Sequence, residues 1–262
     1  MRIKITLETS GNRTVPINSN HFISAVIYNY LSESDIEFST KLHFGYHTLS
    51  KKDFKFFTFS RLEIPRKIIN DSEIKILSKE MYLYVSSPWN EFIQNFINGM
   101  LNLGVFRLGD KTFDITKIET LKNDIKRYEN TNDYIYFKCL SPLVITTKKE
   151  YQGELKKYYY KPDDDQAEIA DKIKNNLINK YEAFYGKKPE NQDFNMEFNK
   201  DYLLSGKAKV LSHYIKGDED IKIPSILCPF KIKGSYELIS FGYECGFGEL
   251  NSAGFGMVDI IE

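Results

Sequence analysis

The sequence has few cysteines, no excess of either charge and no long apolar run. Cys139, Cys228 and Cys245 are far apart, and none has a second cysteine or a histidine at the spacing of metal ligands. We therefore expect reduced, buried thiols, with neither a disulfide framework nor a zinc site. No stretch contains the ~18 consecutive apolar residues of a membrane-spanning helix, and the opening segment MRIKITLETS has no apolar signal core. The sequence predicts a cytoplasmic protein without a membrane partner.

The formal charge is balanced, since lysine plus arginine and aspartate plus glutamate both number 36. No global field attracts a polyanion, so a nucleic-acid site must come from local clustering. Residues 41–67 contain seven basic and two acidic residues, and residues 148–161 contain five basic and two acidic residues. Each segment alone is also compatible with solvated strand edges and loops that are rich in lysine.

Apolar periodicity in the first half predicts a ferredoxin-like domain. Alternation over residues 2–8 predicts a strand, and apolar residues at helical spacing follow a helix start near Asn18 or Asn20. Pro88 opens a second helix. The other predicted elements are strands over residues 54–64, 73–87 and 111–121. The order strand, helix, strand, strand, helix, strand is that of a split βαβ unit.

The second half has a similar order of elements after a polar join at residues 122–133. A helix is expected between the carboxylates of Asp163 to Asp165, which cap its start, and Gly186, which ends it. Ser235 caps a short helix. Strands are expected over residues 134–147, 192–198, 207–214, 228–234 and 254–261. The sequence thus predicts an α+β protein of tandem ferredoxin-like (RRM-like) domains, residues 1–126 and 127–262, with a C-terminal glycine-rich loop at residues 242–256.

The segment ECGFGELNSAGFGMV concentrates four glycines near the C-terminus, namely Gly246, Gly248, Gly254 and Gly256. A dinucleotide-binding loop would need a strand before the glycines and a helix after them, and a P-loop would need a lysine followed by serine or threonine. The sequence has neither arrangement. The loop could lay its amides against an anionic backbone, or its glycines could only form a tight turn before a closely packed strand. Asn251 and Ser252 at its tip could equally be turn residues.

Residues 242–258, GYECGFGELNSAGFGMV, closely resemble the C-terminal glycine-rich loop of the CRISPR-associated repeat-processing endoribonucleases, members of the RAMP superfamily. Four further segments resemble other parts of that family in the same order; they are VPINSNHFISAVIYNYL, KFFTFSRL, LSPLVITT and NKYEAFYGKKP. These segments are spread over nearly the whole chain, so the sequence is identified as a member of the family.

The resemblance implies a protein that cleaves CRISPR repeat RNA, the precursor of guide RNA, without a metal or other cofactor. The ribose 2′-hydroxyl is the nucleophile, so the products carry a 2′,3′-cyclic phosphate and a 5′-hydroxyl. The superfamily also contains non-catalytic RNA-binding subunits of CRISPR effector complexes on the same fold, and such a subunit is the alternative function. Other effector subunits and a second copy of the chain stay open as partners.

The resemblance also assigns catalysis to a tyrosine on the first helix, a histidine after it and a lysine at the next strand. These are Tyr28, His43 and Lys55 in this sequence. At about 100° per residue, Tyr28 points away from the apolar stripe of its helix, whereas Tyr30 lies inside the stripe. We expect His43 to act as acid or base, primarily as the acid. Tyr28 would orient or deprotonate the 2′-hydroxyl, and Lys55 would stabilise the phosphorane.

Two of these assignments have alternatives in the segment between His43 and Lys55. His47 could replace or assist His43, and Lys51 or Lys52 could do what is assigned to Lys55. RNA contacts are expected from Lys51, Lys52, Gly246, Gly248, Asn251, Ser252, Gly254 and Gly256, with Lys231 and Lys233 as further candidates. His21 and His213 are expected to be structural. The carboxylates of Asp163 to Asp165 suit a helix start, so nothing argues for a metal site.

Overall fold

The alternating residues Ile3, Ile5 and Leu7 bury one face of the first strand, which lies inside a five-stranded sheet. The computed structural model describes residues 1–9, 13–47, 53–216 and 219–261. The elements of its first half are, in chain order, β1 (Arg2–Glu8), β2 (Thr14–Pro16), α1 (Asn20–Ser34), α2 (Ile36–Phe44), β3 (Tyr46–His47), β4 (Asp53–Phe54), β5 (Thr58–Phe59), β6 (Lys67–Ile69), β7 (Glu73–Ile76), β8 (Glu80–Ser86), α3 (Asn90–Leu103), β9 (Val105–Leu108) and β10 (Lys111–Thr120).

The first sheet packs against two helices to form the first core. Its strands follow the order β5-β8-β1-β10-β9, and neighbouring strands are antiparallel. Helices α1 and α3 cross where Gly99 meets Tyr30, since a Cβ on Gly99 would overlap the Tyr30 carbonyl group. Strands β1, β5, β8 and β10 with helices α1 and α3 form the predicted split βαβ unit.

The second half builds a four-stranded sheet and two extended hairpins. Its elements are, in chain order, β11 (Ile135–Cys139), β12 (Thr146–Tyr151), β13 (Glu154–Tyr159), α4 (Gln166–Tyr185), β14 (Phe194–Phe198), α5 (Lys200–Leu204), β15 (Lys209–Lys216), β16 (Glu219–Ile226), β17 (Phe230–Gly234), α6 (Tyr236–Cys245) and β18 (Val258–Ile260). Short 3-10 turns cover Asp124–Tyr128 and Asn251–Ala253.

The two main sheets have the same topology. The second sheet follows the order β14-β17-β11-β18. In each unit the order across the sheet is therefore second, third, first and fourth strand of the split βαβ unit. This confirms the predicted α+β fold of tandem ferredoxin-like units. The division at residue 126 stays a prediction, and Ile125 beside it packs in the core of the second unit.

The helix ends of the second unit follow the predicted capping chemistry. The Asp165 carboxylate accepts hydrogen bonds from the amides of Ala167 and Glu168 at the start of α4, at 2.8 and 3.2 Å. Gly186 ends α4 in the left-handed conformation, with a φ of 71°. Ser235 accepts from the Leu238 amide at the start of α6. The interpretation of the Asp163 to Asp165 run as a helix start is confirmed.

The strand predicted over residues 54–64 is broken, and this part of the prediction is wrong. Phe54 and Phe56 are buried in the second core, whereas Phe57 and Phe59 are buried in the first. The chain changes direction at Phe56, whose φ is 50°. This phenylalanine segment, residues 54–59, therefore lies between the two units and contributes to both cores, and only Thr58 and Phe59 of it pair with the first sheet.

Two further local predictions differ from the structure. The segment at residues 73–87 forms two strands, β7 and β8, which belong to different sheets. Helix α2 was not expected, because it is short and buries only Phe38, Ser39 and Leu42. Its start is capped by Asp35, whose carboxylate accepts a hydrogen bond of 2.9 Å from the Phe38 amide. Helix α2 is what carries His43.

Arg2 joins the two units at their buried interface. Its side chain is 5% exposed and donates to the Tyr243 hydroxyl at 2.9 Å, the Asp259 carboxylate at 3.1 Å and the Val258 carbonyl at 2.7 Å. The guanidinium also lies over the Tyr243 ring, 3.8 Å from its centroid. Strand β1 of the first unit is thereby fixed to α6 and β18 of the second.

The three cysteines are free thiols, and burial raises the pKa of Cys139 to about 12 and that of Cys245 to about 11. Within residues 1–9, 13–47, 53–216 and 219–261, no three His, Cys, Asp or Glu side chains are grouped so that they could hold a metal ion. Over the same ranges, no helix is both long and apolar enough to span a membrane.

Candidate active site

Tyr28, His43 and Lys55 come from three different elements and meet at one place. The ring centroids of Tyr28 and His43 are 5.7 Å apart, with their planes at 67°. The Lys55 Nζ lies 5.1 Å from the Tyr28 ring centroid. The turn at Asp35 directs α2 back alongside α1, and the phenylalanine segment brings Lys55 to the same side. The three predicted side chains are therefore close enough to contact one phosphodiester linkage.

Tyr28 is more enclosed than helical geometry alone predicts. Its ring is partly buried and packs edge-on against Phe57, with centroids 5.9 Å apart. Its hydroxyl is buried and has no hydrogen-bond partner among the described residues. Burial raises the pKa of Tyr28 well above its ordinary value, so the phenol stays protonated at neutral pH. Tyr30 is fully buried, as predicted, and donates to the Val105 carbonyl at 2.7 Å.

His43 and Lys55 differ in their exposure to solvent. His43 is exposed on the last turn of α2. Lys55 is partly buried, and burial lowers its pKa while the nearby Asp53 carboxylate opposes that shift. Strand β3 contains His47, whose side chain lies outside the described residues, as do Lys51 and Lys52. These alternatives to His43 and Lys55 therefore stay open.

A cavity of about 380 Å³ extends from Lys55 to the tip of the glycine-rich loop. Its walls come from residues 53–57, helix α4, Cys245 at the end of α6, and residues 249–253. Its polar side chains are Asp53, Lys55, Asn176, Lys180, Glu249, Asn251 and Ser252. The Asn176 side chain is 8% exposed, and its Oδ1 has no hydrogen-bond partner among the described residues. A buried acceptor without a donor, on the wall of a cavity, can receive a hydrogen bond from a ligand.

Sequence reasoning missed Asn176 and Lys180. Both lie on the buried side of α4, next to the apolar residues Ile173 and Leu177. A polar residue within an apolar helical stripe is a signal that something polar faces it. The polar residues within the apolar stripe of α4 could have been noticed in the sequence. The group that Lys180 contacts could not, because Gly246 lies 66 residues further along the chain.

Lys180 holds the glycine-rich loop together from inside. Its side chain is 3% exposed, and Nζ donates to the carbonyls of Gly246 and Gly248 at 2.8 and 2.7 Å and to Asn251 Oδ1 at 2.6 Å. The Asn251 amide nitrogen in turn donates to the Phe247 and Phe255 carbonyls. These bonds close the loop around Asn251.

Close backbone contacts explain why the loop needs glycine. Gly256 has a φ of 78°, and a Cβ there would overlap the Phe247 carbonyl oxygen. The loop also reaches the first unit, because Asn20 donates to the Gly254 carbonyl at 3.1 Å and Thr58 donates to the Phe255 carbonyl at 3.0 Å. The loop therefore fills the space between the units.

Three of the loop amides considered for RNA binding already donate hydrogen bonds within the protein. The amides of Gly246, Gly254 and Gly256 donate to the carbonyls of Gly242, Asn251 and Pro142 respectively. These bonds favour the interpretation of the glycines as packing and turn residues. RNA contact by Gly246, Gly248, Asn251, Ser252, Gly254 and Gly256 stays a prediction. Within the loop, Cys245 and residues 249–253 line the cavity.

The remaining candidates lie away from this cluster. His213 Nδ1 bonds to the Asp220 carboxylate across β15 and β16 at 2.8 Å. His21 lies against the Phe22 ring, with centroids 3.7 Å apart, and burial lowers its pKa. Lys231 pairs with Glu197 at 3.2 Å and lies over the Tyr134 ring. Lys233 lies near the same ring, 6.0 Å from its centroid. None of these four residues is among the described residues that line the cavity.

Replacing Lys180 with methionine is expected to destabilise the protein by roughly 3 kcal/mol. The change keeps most of the volume but leaves three buried acceptors without their donor, and each such acceptor costs about 1–3 kcal/mol before relaxation. Urea unfolding followed by fluorescence measures the difference. Lys172→Met on the same helix, where the lysine is partly exposed, is the matched control and should change stability by less than about 0.5 kcal/mol. Equal stabilities of the two variants would contradict the role given to Lys180.

Two family models match the chain, one described as the N-terminal part of the CRISPR-associated protein Cas6 over residues 14–119 and one as its C-terminal part over residues 122–260. A relative from Methanocaldococcus jannaschii, named CRISPR-associated endoribonuclease Cas6 1, is 37% identical over all of this chain and 93% of its own length. A solved structure titled CRISPR associated protein Cas6 is 35% identical, with a TM-score of 0.76 over 100% of this chain and 99% of the other. A second, titled as an RAMP protein binding different RNA substrates, has a TM-score of 0.80 at 27% identity over 100% of both chains.

Proposed function

Because this chain belongs to the Cas6 family of CRISPR-associated proteins, we propose that it is an endoribonuclease that cuts CRISPR repeat RNA to mature guide RNAs. The observation that carries the proposal is the meeting of Tyr28, His43 and Lys55 beside the cavity. These residues supply a phenol, an imidazole and an ammonium within reach of one linkage. They suit a reaction in which the RNA provides its own nucleophile.

The reaction that fits these groups is an internal transfer of the phosphodiester. The 2′-hydroxyl loses its proton to water and its oxygen attacks the adjacent phosphorus. The bond from phosphorus to the 5′-oxygen breaks, and that oxygen takes up a proton. The products are a 2′,3′-cyclic phosphate and a 5′-hydroxyl. The step needs an acid for the leaving oxygen and positive charge beside the crowded phosphorane oxygens.

The surroundings of each side chain suggest its part in this reaction. His43 is exposed, so its imidazole can reach the 5′-oxygen of an RNA on the surface and protonate it. Lys55 is placed to stabilise the phosphorane charge. Of the two roles considered for Tyr28, orientation of the 2′-hydroxyl fits better than its deprotonation, because burial makes the phenolate costly. Its buried hydroxyl, without a partner among the described residues, is available for that hydrogen bond.

Cleavage of the repeat RNA is expected to proceed at the same rate in EDTA as in magnesium. A reaction run by side-chain acid–base groups and the RNA hydroxyl needs no bound ion. Single-turnover rates on a labelled repeat RNA, with the termini of both products identified by mass, test this. A rate that falls on chelation and returns with a divalent ion would contradict the metal-independent reaction.

A non-catalytic RNA-binding subunit is the second candidate function. It is favoured by the similar structure whose title describes binding of different RNA substrates. The same experiment separates the two functions, because tight binding of repeat RNA without any product would support the second. Assembly with other effector subunits and formation of a homodimer stay predictions under either function.

A further inference from the structure

The hairpin of β12 and β13 places lysines directly opposite lysines. Lys148 pairs in register with Lys157, and Lys149 pairs with Lys156, so two successive rungs each hold two ammonium groups. All four side chains are exposed. Like charges directly opposite each other destabilise an antiparallel pair. Such an arrangement is stabilised by a ligand that carries dense negative charge.

The two lysine pairs lie on opposite faces of the hairpin, because side chains alternate along a strand. On one face, Lys149 lies 4.0 Å from Asp164 and Lys156 lies 3.4 Å from Glu154. On the other face, no carboxylate of the described residues forms an ion pair with Lys148 or Lys157. Glu150 is also exposed on this second face, two residues from Lys148, but it forms no ion pair with Lys148 or Lys157, so both ammonium groups stay available to a partner.

The face with Lys148 and Lys157 adjoins the cavity that extends from Lys55 to the loop tip. Two residues before Lys148, about 7 Å along the strand, the Thr146 hydroxyl donates to the Glu249 carboxylate at 2.8 Å. Glu249 lines the cavity that contains Lys55. Tyr159, opposite Thr146 in register, packs against the cluster that includes Leu250 in the loop tip. The lysine pair therefore lies on the same strand face as a residue that is bonded to the cavity wall.

We propose that Lys148 and Lys157 bind phosphates of the repeat RNA on one side of the cleaved linkage. This inference rests on the proposed function, because it extends the path of the same RNA. The phosphodiester backbone is the partner that fits, since it carries one charge per nucleotide and so can satisfy two ammonium groups of one rung at once. Lys157 also lies 4.9 Å from the Tyr159 ring centroid, which holds its stem against the hairpin.

The double variant Lys148→Ala with Lys157→Ala is expected to bind repeat RNA more weakly, and the loss should depend on salt. Two lost phosphate contacts reduce the slope of log affinity against log salt by about 1.4 for single-stranded RNA. That slope corresponds to a loss of about 25-fold at 0.1 M salt, which shrinks towards 1 M. Dissociation constants for the full chain with the repeat RNA, measured by fluorescence anisotropy at several salt concentrations, give both quantities.

Two further variants control for charge and for folding. Lys75→Ala with Lys79→Ala removes the same charge from exposed positions in β7 and shortly after it and should leave the salt slope unchanged. Lys148→Arg with Lys157→Arg should bind as the wild-type protein does. An unchanged slope in the Lys148 and Lys157 alanine variant would overturn the inference. So would unchanged RNA affinity together with lost binding of a polyglutamate peptide, which would assign the hairpin to an acidic protein partner.

Failure of this inference and failure of the proposed function give different results. If the wild-type protein cuts the RNA and the alanine variant binds it with an unchanged salt slope, only the hairpin assignment is wrong. Suppose instead that the wild-type protein binds the RNA without cutting it, and that the alanine variant shows the reduced slope of log affinity against log salt. The hairpin assignment then holds, and the endoribonuclease proposal is wrong.

Discussion

Repeat RNA with a single 2′-deoxy sugar immediately upstream of the cut is expected to give no detectable product. The proposed reaction takes its nucleophile from that sugar, and no side chain among Tyr28, His43 and Lys55 can replace it without forming a covalent adduct. Because the loss removes a reactant rather than one catalytic group, the rate should fall by far more than the factor of ~10²–10⁴ that one acid or base contributes. Single-turnover assays with excess protein measure it.

The position of the deoxy sugar provides the matched control for this substrate. The same substitution one nucleotide downstream of the cut leaves the nucleophile in place, so that RNA should be cleaved within a few-fold of the unmodified rate. Both modified RNAs should compete equally for binding, since the phosphates are unchanged. Cleavage of the upstream deoxy RNA at the normal rate would show that an external nucleophile attacks, and the proposed chemistry would then be wrong.

Replacing His43 with alanine is expected to reduce the single-turnover rate by about 10²–10⁴-fold while RNA affinity stays within a few-fold. The change removes the acid that protonates the 5′-oxygen, but His43 is exposed and its loss leaves no buried cavity. The rate at saturating protein and the dissociation constant, measured on the same RNA, separate the chemical step from binding.

Other histidines of the chain provide the controls for His43. His213→Ala removes an imidazole that bonds to Asp220 in the β15 and β16 hairpin, and cleavage should be unaffected. His47→Ala is made separately, because this residue is the alternative to His43. A normal rate for His43→Ala together with a large loss for His47→Ala would contradict the assignment of the acid to His43 and transfer it to His47.

Elements with strong local signals could be predicted from the sequence. Helix α4 combines a long apolar stripe with a carboxylate cap at Asp165 and a glycine stop at Gly186, and its bounds follow those signals. Helix α2 has only three buried residues, so its apolar pattern is too short to stand out. The break at Phe56 could not be predicted, because four phenylalanines in residues 54–59 look alike whether they enter one core or two.

The candidate site was predicted through family resemblance rather than through local pattern. Tyr28, His43 and Lys55 occur far apart in the sequence, and only the resemblance grouped them. The separation of Tyr28 from Tyr30 did follow from helix geometry, although the enclosure of Tyr28 depends on Phe57, which arrives from another part of the chain. Asn176 was missed because its significance depends on a cavity wall formed by four separate stretches of the chain.

The phenylalanine segment makes the two ferredoxin-like units mutually dependent. Phe54 and Phe56 are anchored in the second unit, yet they flank Lys55 of the candidate site. If the chain were severed between β10 and β11, the first fragment would carry two large apolar rings with no core to enter, a surface prone to self-association. Lys55 between them would lose the fixed position it has relative to His43. Despite their matching topologies, the two units are therefore expected to unfold together, and the position of the candidate site depends on both of them.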